Sequence, residues 1–194
     1  MKNTYLENTF VLRLWKYISG ETMDIFDVFS RRHSIRGFTD QPITDDVLKQ
    51  IFEAVNRAPS AGNLQAFDIY LATRTEHREA LMCAAYDQEF VAQAPVVLVF
   101  CATPERSAVR YRERGETLYC IQDATIACTF AMLAATALGL GSVWVGALDE
   151  DAAHKIIGAG PEHRPIAMLP IGYPNATPRI RPRRALDEIV HRVG

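Results

Sequence analysis

The segment Gly139-Leu140-Gly141-Ser142-Val143-Trp144-Val145-Gly146 decides between two kinds of nucleotide-binding fold. Its first two glycines imitate the dinucleotide fingerprint, in which a third glycine lets a helix pack closely on a strand. Here Trp144 fills that third place. The order is also reversed. A fingerprint follows a strand and opens a helix, whereas this segment follows the apolar run Leu118–Leu138 and leads into a strand-like Ser142–Val145. That removes the standard NAD-binding module. Gly146, at the end of the short strand, keeps a different use: without a Cβ its backbone N–H can come close to a flat ligand.

Reading outward, Leu118–Leu138 carries Ala, Leu, Ile and Met on nearly every face. Such a helix lies at the centre of a domain or in an oligomer interface. Asp123, several threonines and two glycines interrupt Ile121–Val145, so it does not read as a membrane span. Pro95–Ala102 (PVVLVFCA) predicts a strand buried on both faces, and Phe67–Thr73 and Ile166–Tyr173 predict two more. Helices are expected at Ile25–Phe29 and at Glu76–Ala85. A third, capped by Thr44, carries the stripe Val47, Leu48, Ile51, Phe52, Val55 and stops at Pro59. Asp149–Ile157 is a further helix with an acidic first turn, and a short one near Leu186–His191 closes the chain. Asn175–Arg184 is too rich in Pro and Arg to be regular. The mixed order of elements favours an α+β fold.

Composition narrows the function classes. The 194 residues, 48% hydrophobic and 23% charged with a net charge of -2, suit one domain. The near-neutral balance argues against bulk binding of nucleic acid or anionic lipid. Cys83, Cys101, Cys120 and Cys128 form no C-x-x-C pair and sit in apolar runs, as free thiols of a reducing, cytoplasmic protein do. The five histidines are scattered without ligand spacing, so no metal site is expected. Met1–Thr22 has no signal-peptide pattern, and Met23 stands directly before the first helical stripe. Residues 1–22 therefore read as an extension and residues 23–194 as the domain.

Three constellations carry chemistry. Arg31-Arg32-His33-Ser34-Ile35-Arg36 gathers three guanidinium groups, a hydroxyl and an imidazole at a helix end. Arg binds phosphate oxygens in charge-assisted pairs and Ser adds a short donor; a solvated basic helix cap is the plainer reading. Pro59-Ser60-Ala61-Gly62-Asn63-Leu64-Gln65 is a loop. Its Asn63 and Gln65 amides suit the edge of a planar heterocycle, although an ordinary turn would look the same. Arg179, Arg181, Arg183 and Arg184 crowd the tail. With no interleaved aromatics they suit a phosphate better than a single-stranded nucleic acid. No catalytic triad, zinc-protease motif or spaced carboxylate pair is visible, which leaves the chemistry to a cofactor.

In this order the motifs FSRRHSIRGF, APSAGNLQ, QEFVAQAPVVLVF, ALGLGSVWVGAL, LPIGYP and RPRRALDEIVH resemble the nitroreductase family of FMN enzymes, from Met23 to the C-terminus. The resemblance implies a mostly antiparallel central sheet flanked by helices, and an intertwined homodimer with one FMN at each end of its interface. It implies that Arg32, Ser34 and Arg36, with Arg31 and His33 beside them, hold the phosphate and ribityl side. Arg183 would complete the clamp, with Arg181 or Arg184 in its place if the register differs. Pro59, Ser60, Ala61 and Asn63 would cover the ring from the other subunit, with Gln65 in the same loop. Gln88 would meet the pyrimidine edge, and Val145 and Gly146 would offer backbone N–H to the N5 and O4 region. The implied reaction is ping-pong: NADH or NADPH reduces the flavin and leaves, and a nitroaromatic, quinone or similar small acceptor takes the electrons. The same scaffold also serves flavin breakdown and reductive dehalogenation, and a non-catalytic flavin-binding regulator is the reading from a different class. Two departures stand out. Ala66-Phe67 replaces a frequent Pro-Trp, and Glu105–Gly115, with Arg106, Arg110, Arg112 and Arg114, is expected as a mobile loop over the flavin mouth, either attracting an anionic nicotinamide or substrate or simply solvated.

Overall fold

In the computed structural model, which describes residues 23–194, the apolar run at the middle of the sequence becomes the axis of the domain that begins at Arg32. The expected extension at residues 1–22 lies outside the described residues. The chain divides between Arg31 and Arg32 into two units. What is described of the first is helix α1, Ile25–Arg31, whose opening N–H groups at Phe26 and Asp27 donate to the Asp24 carboxyl at 2.7 and 3.0 Å.

In the second unit, α2 spans Asp45–Val55 and buries Leu48, Ile51 and Val55 along one stripe. Thr44 precedes it in an extended conformation, but its side chain makes no capping bond. The dipole is met instead by Asp45 and Asp46 in the first turn. Strand β1 (Phe67–Ala72) is followed by α3 (Thr75–Ala84), the short α4 (Phe90–Gln93) and strand β2 (Val96–Ala102). Beyond it, α5 (Pro104–Arg114) passes through a π-helical turn, Gly115–Tyr119, into α6 (Cys120–Ala137). Strand β3 is only Gly141–Ser142, α7 spans Glu150–Ile157 and β4 spans Arg164–Gly172. One 3-10 turn, Leu186–Glu188, stands where the last helix was expected.

The sheet order is β1-β2-β4-β3 and every pairing between these strands is antiparallel. All seven residues of β2 are buried, which requires cover on both faces. Val97, Val99 and Cys101 join Leu81, Ala84, Val91 and Ala153 of α3, α4 and α7 on one face. Val96, Leu98 and Phe100 join Leu48, Ile51 and Val55 of α2 and Ala127, Cys128, Ala131 and Ala135 of α6 on the other. The result is an α+β domain with its sheet between two helical layers. Pro104–Ala137, taken as one helical stretch, is long and apolar enough to cross a membrane. Its small residues are nevertheless spent against the sheet, as in a core helix.

Candidate functional site

Three of the five donor-bearing segments with expected roles meet at one corner of the sheet. The chain from Ser34 runs beside β3: Ser34 bridges Ser142, and Ile35 N–H donates to Ser142 O at 3.0 Å. Gly141 has to be glycine for this approach, because a Cβ there would lie 2.8 Å from the Ile35 side chain. The same segment is gripped further on. Thr39 N–H donates to Tyr173 O, Asn175 N–H to Gly37 O at 3.1 Å, and Asn175 Nδ2 to Phe38 O at 2.8 Å. The loop carrying Arg32, His33, Ser34 and Arg36 is thus tied to β3 and to the residues that follow β4, while Ser34 and Arg36 stay exposed.

Arg36 places its guanidinium 5.7 Å from the centre of the Phe90 ring. That contact brings the loop to α4 and to Gln88, two residues earlier. Gln88 Nε2 donates to Ala85 O at 2.8 Å and to Ala147 O at 3.4 Å, and Oε1 has no hydrogen-bond partner among the described residues. Ala147 follows Gly146, so Ser34, Arg36, Gln88 and Gly146 share the corner. One expectation is corrected here. Val145 N–H donates to Met168 O at 2.9 Å as a rung of the sheet, so that donor is engaged. Gly146 is exposed, and its N–H makes no backbone hydrogen bond among the described residues.

The loop Pro59–Gln65 stands elsewhere. It leads into β1, whose Phe67 is opposite Ala102 at the far end of β2, whereas Ser142 is opposite Ile171 and through it Val96 at the near end. β1 and β3 are also the two edges of the sheet. Three strand spacings and six residues of rise separate the two corners by roughly 25 Å. Within one chain the loop does not face the Ser34–Arg36 corner.

This loop is tightly specified. Gly62, Asn63 and Gln65 all have positive φ (57°, 58° and 50°), and for a residue such as Gln the left-handed region costs about 1–3 kcal/mol. Ser60 Oγ accepts from Gln65 N–H at 2.9 Å, and Asn63 and Leu64 N–H close short turns on Ser60 O and Ala61 O. Asp123, in the first turn of α6 and 2% exposed, accepts from Ala61 N–H at 2.9 Å on one carboxyl oxygen and from Ala66 N–H at 3.3 Å on the other. Sequence reasoning saw Asp123 only as a break in an apolar run. A lone acidic residue facing inward from a core helix was the available signal, because such a group needs partners. Beside the loop, an open cleft of about 570 Å³ is lined by Pro59, Ser60 and Ala61 and by Tyr119, Gln122 and Ile126 among others.

The stretch expected as a mobile loop, residues 105–115, is helical. Its first helical position is Pro104, which suits a helix start, and its Arg and Glu residues are good helix formers. It lies against the Pro59–Gln65 loop. Arg106 Nη1 donates to Gln65 O at 3.2 Å, and a Cβ at Gly62 would meet Tyr111 Oη at 2.6 Å and Arg110 Nη1 at 2.9 Å. Arg112 within it has φ 52° and ψ -138°, a strained turn that kinks the helix.

The tail arginines are exposed. Arg184 donates to the Glu188 carboxyl at 3.3 Å and to Glu188 O at 2.6 Å. No hydrogen bond or ion pair among the described residues links Arg181 or Arg183 to the Arg32–Arg36 loop. The other polar cluster, where the Tyr70 hydroxyl bonds His163 Nδ1 and Asp68 and Glu162 lie 3.2 and 3.3 Å from His163 Nε2, clasps β1 to the turn before β4.

Comparison with known proteins points the same way. The model of the nitroreductase family matches residues 29–88 and 80–173. The chain is similar to the NADPH-flavin oxidoreductase of Vibrio harveyi, 33% identical over 81% of this chain and 69% of that protein. It is also similar to the FMN reductase [NAD(P)H] of Bacillus subtilis, 30% identical over 87% of this chain and 73% of that protein. Among solved structures, the NADPH:FMN oxidoreductase from Vibrio harveyi complexed with NAD+ superposes with a TM-score of 0.79 at 29% identity, covering 87% of this chain and 76% of that one. With both donor loops and all four strands inside the matched residues, the chain belongs to the nitroreductase family.

Proposed function

We propose that this protein is an FMN-dependent NAD(P)H oxidoreductase that reduces small acceptors such as nitroaromatics or quinones, working as a cytoplasmic homodimer. The observation that carries the reading is the donor set at the β3 corner. Two guanidinium groups, Arg32 and Arg36, with the exposed Ser34 hydroxyl suit the doubly charged phosphate of FMN and its bidentate geometry. Gln88, with both amide hydrogens turned to the Ala85 and Ala147 carbonyls, offers Oε1 to an imide N–H of the ring. The Gly146 N–H is a donor that no backbone carbonyl among the described residues uses.

The second half of the site argues for two chains. Pro59, Ser60, Ala61 and Asn63 sit at the opposite corner of their own sheet, so they can cover a ring only in a neighbouring subunit. The tail supports the same arrangement. Ile180, Leu186, Ile189 and Val190 are exposed on it, and apolar side chains of that number favour cover by a second chain. Arg181, Arg183 and Arg184 travel on the same tail and would reach a phosphate there. Four free cysteines suit a reducing compartment.

Bound FMN would supply the redox chemistry, accepting a hydride from NADH or NADPH and delivering electrons to the acceptor. The chain's own part is to grip the phosphate, fix the ring edge through Gln88 and Gly146, and leave one ring face open to reductant and acceptor in turn. No side chain is required to act as an acid or nucleophile, in keeping with the lack of such a constellation.

The purified protein supplied with FMN should be yellow and should bleach anaerobically with NADH or NADPH. Charge-assisted bonds contribute about 1.5–3 kcal/mol each, so Arg32→Ala with Ser34→Ala should weaken FMN binding by a factor of ten or more. Unchanged flavin content in that double variant would contradict the placement of the phosphate.

A further inference from the structure

The Pro59–Gln65 loop reaches across to another chain's ring in the reading above, yet nothing in its own composition makes it rigid. Two of its residues, Asn63 and Gln65, hold positive φ without being glycine. Such a shape persists only where surrounding contacts over-determine it. Ser60 Oγ and Arg106 hold Gln65 itself, and the contacts on either side of the left-handed stretch converge on one side chain. The two Asp123 oxygens take the N–H groups of Ala61 and Ala66, the residues that bracket the left-handed stretch. Ala66 is fully buried, and its carbonyl accepts from Thr103 N–H at the end of β2. Asp123 therefore joins the loop to the first turn of α6, while Ala66 joins it to the sheet. Neither N–H has another partner among the described hydrogen bonds.

We propose that Asp123 is the positioning residue of the ring-covering loop. By holding Ala61 and Ala66 N–H on one carboxyl group, it fixes Ser60–Ala66 in the single shape that meets the flavin of the partner chain. This rests on the FMN reading above. Asp123 does not touch the cofactor; it acts through the loop. Its effect is consequently on cofactor affinity and ring environment, not on any proton transfer.

Two variants of the full-length dimer test this. Asp123→Asn keeps the size of the side chain but turns one acceptor oxygen into a donor facing an N–H. Hydrogen exchange at whichever of Ala61 and Ala66 faces the new amide nitrogen should quicken at least tenfold while Val97–Phe100 stay protected. The FMN dissociation constant should rise at least tenfold, and the visible circular dichroism of bound flavin should change. Asp123→Glu keeps both acceptors and displaces them by one methylene. Its Ala61 and Ala66 amides should remain protected while FMN affinity still falls, which a merely stabilising anchor would not produce. FMN affinity and flavin dichroism equal to the unsubstituted protein in both variants would overturn the inference, as would unchanged exchange at Ala61 and Ala66 in Asp123→Asn. Failure of the unsubstituted protein to bind FMN is a separate result, read on that protein alone, and would remove the functional reading and this inference together.

Discussion

Cys101 is the next-to-last residue of the buried strand β2. Burial first, and the Asp68 charge second, push its thiol up to about 12. Cys120 and Cys128 are also raised, in both cases chiefly by burial. Only the thiolate is a good nucleophile, so a raised value silences the group at ordinary pH. Cys83 alone of the four is exposed. Iodoacetamide on the native protein at mildly alkaline pH should therefore add one group, at Cys83, with the other three labelled only after unfolding. Peptide mass spectrometry finding Cys101 or Cys128 modified in the native state would refute this. At the same scale the sequence named Ser34, Arg36, Gln88 and Gly146 as site residues, and the structure gathers them. Residue type marks Ser34 and Arg36 as a phosphate cradle and the lack of a Cβ marks Gly146, whereas Gln88 enters through the family resemblance alone. Asp123 escaped because its value lies in two backbone partners 57 and 62 positions away, which no local pattern records.

Among the elements, β2 and the α2 stripe were legible because unbroken apolarity and a helical period each have one structural solution. Helix α5 was not. Its four arginines drew attention to charge, while the starting Pro104 and the helix propensity of Arg and Glu carried the stronger structural signal. The four-residue α4 has too little sequence to show a period. Helix α7 was legible at both ends: Asp149 accepts from Ala152 N–H at 2.9 Å, and Gly158 closes the helix in the left-handed region at φ 62°. It is also tied to β4 by a two-bond pair, Arg164 Nε to Glu150 Oε2 at 2.7 Å and Nη2 to Oε1 at 3.0 Å. Those hydrogen bonds, then the Arg164 charge, hold the Glu150 carboxyl below its ordinary value despite partial burial. A depressed acid stabilises the fold above its unfolded value, and that contribution fades as the pH falls through the folded one. Both side chains are about half exposed, which limits the pair to about 0.2–1 kcal/mol. A double-mutant cycle of Glu150→Gln and Arg164→Gln should give a coupling in that range at neutral pH and none in strong acid. A coupling that survives acidification would show that charge is not its source.

For the whole molecule, the decisive geometry is that one chain carries the two halves of the proposed site at opposite corners of its sheet. The corner with Ser34, Arg36, Gln88 and Gly146 is fixed by pairing to β3, and the loop Pro59–Gln65 is fixed to α6 and to the start of β1. Sequence order could not reveal this separation, since both halves read as loops near strands. Pairing register did. In the proposed two-chain arrangement, the exposed apolar tail and the partly buried Ile121, Ile126 and Phe130 of α6 would share the purpose of meeting the second chain. The most direct test mixes two damaged chains, one with Arg32→Ala, Ser34→Ala and Arg36→Ala, the other with Ser60→Ala and Asn63→Ala. Each homodimer should hold little FMN. Refolded together and purified as heterodimers through different tags, they should bind one FMN per dimer, because the intact donor corner of one chain meets the intact loop of the other. Heterodimers as poor in flavin as their parents would mean that each site lies within a single chain.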